Sequence, residues 1–239
     1  ISLKRKKSMH PIDSKSGKLF HEYRFHIFLF SLLLIIFGSI IFPPNIYKSF
    51  LSPFFFFTNV AAGLVLVRNY KKTTAMRIFL ITIVPLLNVF KNHVLHEEYK
   101  IILLFELVLL FVYYVIVSYH LIYQVWRTKE VEIKTVLGLI SGYISLGLLA
   151  FMAFSIIELS IPNAFTGLHP DAYGYDRGNL MYFSFVTLLT IGYGDIYPLA
   201  DIAKRVSILV GLIGQIYMVV ITAVVIEKYI RHSKKKEEE

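Results

Sequence analysis

Apolar residues in this chain come in long runs without period-two alternation, and the polar residues collect in the gaps between them. The runs are Phe25–Phe42, closed by Pro43-Pro44; Leu51–Val67, with Phe54-Phe55-Phe56-Phe57 near its start; Ile78–Phe90, which is short and holds Pro85 and Asn88; Ile101–Trp126; Thr135–Ile157; and Ile202–Ile226. Most approach the roughly 20 residues that a helix needs to cross the hydrocarbon core of a bilayer. The pattern predicts an all-α membrane protein with six transmembrane helices. Between the fifth and sixth runs lies a polar loop, Glu158 to Gly178, rich in Pro and Gly. Leu180–Leu189 follows, a helix too short to span, with Asn179 placed as its N-cap. It leads directly into Thr187-Leu188-Leu189-Thr190-Ile191-Gly192-Tyr193-Gly194-Asp195, and Pro198 closes the extended part.

Composition agrees with the pattern. Of 239 residues, 56% are hydrophobic and 17% charged, and the mean hydropathy is +0.62, outside the range of ordinary soluble domains. A net charge of +9 could mark a nucleic-acid binder. The position of the charge argues otherwise, because the cations sit almost entirely in the gaps between apolar runs and no aromatic-interleaved basic face stands out. With an N-terminus in the cytoplasm and six crossings, 19 of the 25 Lys and Arg fall inside and 6 outside, the positive-inside bias. That bias needs the short third run to cross. It places both termini in the cytoplasm of a multi-pass protein of the cell membrane. The absence of cysteine excludes disulfides and thiolate metal sites. No nucleophile–base set, phosphate loop or metal spacing stands out, so the chain reads as a non-enzyme without a cofactor.

The divisions follow from these runs. Residues 1–24 form a basic cytoplasmic segment, either solvated or resting on anionic lipid headgroups. Residues 25–134 form a four-helix peripheral domain, 135–230 a second module, and 231–239 a short charged tail. The gap Lys91–Lys100 holds His93, His96, Glu97 and Glu98; a polar external loop is favoured there over a metal or proton sensor. Gly138-x-x-x-Gly142 suits close helix packing in lipid.

The stretch around Gly192 and Gly194 carries the chemistry. Glycine takes positive φ without the penalty a Cβ brings. A strand of alternating handedness turns successive carbonyls to one side, and several such strands around an axis offer rings of oxygens to a dehydrated cation. Thr-x-x-Thr-x-Gly-Tyr-Gly-Asp resembles the selectivity filter of tetrameric potassium channels, and residues 135–230 resemble that family's pore module of outer helix, re-entrant pore helix, filter and inner helix. The resemblance implies that carbonyls of Thr190, Ile191, Gly192 and Tyr193 line the ion path and bind K+, with the Thr190 hydroxyl innermost. It also implies that Tyr193 packs near Tyr182 and Phe183, and that Gly194 and Asp195 form the outer mouth, with Thr187 part of the motif that supports it. The C-terminal end of the pore helix would direct partial negative charge to the cavity. Glu158 is either a bond to the filter surround or a plain interfacial glutamate. Gly214, Met218, Thr222 and Ile226, spaced by four, would face the cavity, with Gly214 near a hinge.

One chain holds one such strand, so a ring of four implies a homotetramer. The function implied is passive conduction of K+. The alternatives are a less selective cation channel and a non-conducting regulatory subunit; the intact Gly-Tyr-Gly argues against both. Residues 25–126 resemble the family's peripheral domain only in number and topology of helices. Ile101–Trp126 has no Lys or Arg, and Glu106 is its only formal charge, so steep voltage gating is not expected.

Overall fold

The computed structural model describes residues 23–43, 46, 47, 51–66, 96–127, 133–169 and 177–237. Helix α1 is Arg24–Ile41, α2 Ser52–Leu66, α3 His96–Arg127 and α4 Ile133–Ser160. A two-residue strand β1, Phe165–Thr166, precedes the short helix α5, Arg177–Leu188. Strand β2, Tyr197–Pro198, and helix α6, Asp201–Glu237, complete the order. Among the described residues four segments are long and apolar enough to cross a membrane: Arg24–Ile41, Lys100–Tyr123, Val136–Ser160 and Asp201–Glu227. The chain is a helical membrane protein, with the β1–β2 pair its one sheet among the described residues. Helix α2 occupies the second apolar run. The third run, Ile78–Phe90, lies outside the described residues, as do the basic segment 1–22, the gap Arg68–Arg77 and His93.

Local chemistry sets the helix ends. α1 stops before the Pro43-Pro44 pair, and the Phe42 N–H closes on the Gly38 carbonyl at 3.0 Å. α2 opens Ser52-Pro53, with proline in the first turn, where its missing N–H costs nothing. Two boundaries differ from expectation. His96 to Lys100 form the first turn of α3 rather than the end of a loop. α6 continues through the charged tail to Glu237, because Lys and Glu are good helix formers and no Gly or Pro follows Gly214 to stop them.

α4 is the hub, packing against α1, α3, α5 and α6. The peripheral helices are tied together by polar groups buried in the apolar core. Asn59 of α2 is fully buried; its Nδ2 donates to Ser31 Oγ of α1 at 2.9 Å, and its Oδ1 accepts from the Tyr114 hydroxyl of α3 at 2.7 Å. The Tyr113 hydroxyl donates to the Asn59 carbonyl at 3.1 Å, and Ser31 Oγ donates to the Phe28 carbonyl at 2.8 Å. In hydrocarbon such groups must be paired, and each interhelical bond in a bundle is worth about 0.6 kcal/mol on average. The network makes α1, α2 and α3 one packed unit. Glu106 of α3 is buried as well.

Helix α6 is the exception to this coverage. Of its spanning window only 17% is buried, against 56% for α4. Its buried stripe is Ala203, Val210, Gly214 and Tyr217, and most of the remaining circumference is exposed apolar surface.

Candidate functional site: the loop between α5 and α6

α5 begins at Arg177, so Asn179 sits inside its first turn rather than at its N-cap. Its other end is the more informative. The Thr190 N–H donates to the Thr187 carbonyl at 3.1 Å and the Ile191 N–H to the Val186 carbonyl at 2.9 Å, the paired bonds of a Schellman closure. The residue in left-handed conformation at the centre of such a closure is usually glycine; here it is Thr190, with φ 57°. A non-glycine residue held there stores about 1–3 kcal/mol of strain, which surrounding structure must offset. The Leu189 N–H takes the Phe185 carbonyl at 2.8 Å, and the Tyr143 hydroxyl of α4 donates to the Leu188 carbonyl at 3.3 Å. The last four carbonyls of α5 therefore each have a donor, and the helix presents its dipole without an unpaired oxygen.

Beyond Thr190 the handedness alternates. Gly192 has φ 62° and Gly194 φ 82°, while Ile191 and Tyr193 between them keep negative φ. Thr190, Gly192 and Gly194 thus form a left-handed series at every second residue. The carbonyls of Thr190, Ile191, Gly192 and Tyr193 accept no hydrogen bond among the described residues. Nothing lies within 4 Å of where a Cβ would stand on Gly192 or Gly194. Thr190 to Asp195 are all exposed, Tyr193 at 70%. Backbone carbonyls normally find partners; a strand that leaves successive ones unpaired and turned by alternating φ can offer them to a cation.

The far end of the strand is braced by the loop after α4. Both oxygens of Glu158 are used: Oε1 accepts the Asn163 N–H at 3.1 Å and Oε2 the Phe165 N–H at 3.1 Å. Glu158 thus bonds to the α4–α5 loop rather than directly to the loop that follows Gly194. β1 then pairs antiparallel with β2, Phe165 opposite Pro198 and Thr166 opposite Tyr197. The Ala164 carbonyl adds bonds from the Leu199 N–H at 2.7 Å and the Ala200 N–H at 3.1 Å. Gly167, at φ 80°, passes so close to Asp195 that a Cβ would meet its carbonyl oxygen at 2.2 Å. Phe183 is committed to a ring cluster with Phe154 and Phe165, centroids 5.0 and 5.3 Å away. It anchors α5 to α4 and β1. Tyr182 hydrogen-bonds Asp195; its phenol is pushed above its ordinary pKa by desolvation, by that bond and by the neighbouring carboxylate charge.

On α6, Gly214 is buried where a Cβ would fall 2.3 Å from the Leu188 carbonyl oxygen. Its need for glycine is this close approach, and the helix runs through it unbroken. Steps of four residues advance about 400° in an α-helix, so a four-residue series drifts by about 40° per step. Gly214 accordingly belongs to the buried stripe, whereas Met218, Thr222 and Ile226 are exposed. Gln215, one position on, shares their side, and its Nε2 donates to Thr190 Oγ1 at 3.0 Å. Gln215, Gly167 and Tyr143 were not singled out from the sequence. The available signal for Gln215 was its standing as the sole amide in the apolar run Ile202–Ile226. Of the glycine pair on α4, Gly142 receives the Tyr217 hydroxyl of α6, which a Cβ would meet at 2.4 Å.

Residues 139–231 match the family model described as ion channel. The match runs from α4 through the alternating strand to α6, and it supports an ion channel embedded in a membrane. No curated protein matches the chain, and no solved structure matches it.

Proposed function

We propose that this chain is the subunit of a potassium-selective channel, and that four copies close their Thr190–Gly194 strands around one axis. The observation that carries the reading is the left-handed series Thr190, Gly192, Gly194 with its unpaired carbonyls. Four such strands supply stacked rings of oxygen that replace the water around K+, with the Thr190 hydroxyl as the innermost ligand. α5 is the re-entrant pore helix, tolerated at membrane depth because the strand it carries lines a cavity.

Assembly into a homotetramer is supported by two features. A single strand cannot surround an ion, and α6 leaves most of its apolar surface uncovered. Met218, Thr222 and Ile226 then line the cavity below the filter, and Asp195 holds the outer mouth through Tyr182. The peripheral helices form a collar that does not sense voltage steeply, since the described α3 carries no Lys or Arg between Ile101 and Trp126. Both termini lie in the cytoplasm of a cell-membrane protein.

Flux from liposomes containing the purified protein tests this reading. Expected is K+ efflux that collapses an imposed potential, with far slower flux when Na+ replaces K+. Equal K+ and Na+ flux would favour the less selective channel, and intact tetramers that pass neither would favour the regulatory subunit.

A further inference from the structure

We infer that Gln215 is a positioning residue for the innermost ion site: its amide holds the Thr190 hydroxyl oxygen in place at the inner mouth of the filter. This rests on the potassium-channel reading of the strand.

Thr190 is the weak point of the strand by its own chemistry. It is β-branched and sits at φ 57°, where a Cβ is unwelcome. Its backbone is fixed by the Schellman closure, but its side chain is exposed. The described contact on its hydroxyl is the Gln215 Nε2 donor at 3.0 Å. A threonine hydroxyl has two lone pairs and one proton. Gln215 occupies one lone pair, which leaves the other for a cation and fixes the rotamer that presents it. Four prealigned hydroxyls bind an ion without ordering side chains at the moment of entry.

The adjoining residue explains why the bond is held in register. Gly214 lets α6 approach the Leu188 carbonyl directly. Residues 214 and 215 of α6 therefore dock on 188 and 190 of the filter base as a pair. A rotation of α6 about its axis carries the Gln215 amide away from Thr190 unless the filter base moves with it. The innermost site consequently depends on the rotational position of α6, which a hydroxyl facing open water would not.

Barium is the probe. It is close to K+ in size with twice the charge, so it occupies an oxygen site built for K+ and blocks flux. Wild-type protein, Gln215→Leu, Gln215→Asn, Thr190→Val and the double variants Gln215→Leu/Thr190→Val and Gln215→Asn/Thr190→Val are reconstituted in liposomes, with Ba2+ on both sides. Leucine removes the donor at similar volume, asparagine keeps an amide, and valine removes the acceptor at constant shape. Each is first checked for tetramer by size exclusion. Loss of a single neutral hydrogen bond is worth about fivefold, and four copies of the loss converge on one site, so Ba2+ block is expected to weaken by about fivefold or more in Gln215→Leu. Partial recovery is expected in Gln215→Asn, and no added effect of Gln215→Leu in the Thr190→Val background. Unchanged Ba2+ block in Gln215→Leu, or the same factor in the Thr190→Val background, overturns the inference while leaving the channel reading intact. Wild-type protein that carries no K+ flux removes the channel reading itself. If Gln215→Leu does not assemble, the Gln215→Asn and Thr190→Val pair is read in the same cycle, and additive effects of those two overturn the inference.

Discussion

The backbone of Gly167 lies against the carbonyl of Asp195 so closely that a Cβ would stand 2.2 Å from its oxygen. The first residue belongs to the loop after α4, the second to the exit of the alternating strand. Between them they join two segments that are far apart in the chain, and the β1–β2 pair extends the same seam.

Gly167→Ala therefore meets two penalties at once: a φ of 80° that alanine resists and a backbone atom that cannot step aside. Strain alone costs about 1–3 kcal/mol. The expected result is a lower unfolding temperature of the detergent-solubilised protein and loss of K+ preference. An alanine variant with wild-type stability and selectivity would show that the loop is not seated on Asp195.

Glu158 organises the same loop through two charge-assisted bonds. Glu158→Gln keeps the shape but turns an amide donor toward a backbone N–H that needs an acceptor. Breaking one such bond predicts a loss of about 1.5–3 kcal/mol. Chemical denaturation of wild-type and variant protein measures it, and a difference under a few tenths of a kcal/mol contradicts the assigned role.

Most of the helical frame was legible from the chain because lipid demands long apolar runs, and the ends of α1, α2 and α4 follow from Pro and polar residues beside them. The glycine strand was legible too, since Gly192 and Gly194 could be matched to positive φ. What stayed hidden was the left-handed Thr190, because nothing in a threonine announces that conformation; it arises from how α5 closes. Gly167, Gln215 and the Phe154–Phe165–Phe183 cluster depend on contacts between distant segments, which local pattern cannot supply. Asn179 misled because Asn favours caps, yet the helix had already started at Arg177. Gly214 looked like the start of a cavity face because a spacing of four resembles one helical turn, and the accumulated drift rotates it out.

Gly192→Ala and Gly194→Ala test the strand itself. Within one chain nothing crowds a new Cβ at either site, so the direct penalty is the positive φ, at 62° and 82°. Each variant is expected to insert into membranes and to lose selective K+ flux. Preserved selectivity in an assembled variant would mean that the left-handed series is not what orders the carbonyls.

Voltage should move this protein little. One elementary charge crossing the whole field gains about 2.3 kcal/mol per 100 mV. The buried side of α3 is built from Leu103, Leu107, Leu110, Tyr113, Tyr114, Val117 and Leu121, with Glu106 the one formal charge buried among its described side chains. Recordings in symmetrical K+ should show open probability changing weakly with voltage. A tenfold change within about 20 mV would require several moving charges per subunit and would contradict the collar role given to the peripheral helices.

The reversal potential of the wild-type protein in a planar bilayer, with K+ on one side and Na+ on the other, tests the central claim most directly. Four alternating strands that replace the hydration of K+ predict a current that reverses far toward the potassium equilibrium potential and shifts with the K+ ratio. A reversal near zero, insensitive to exchange of K+ for Na+, would contradict the assignment of Thr190 to Gly194 as a potassium filter.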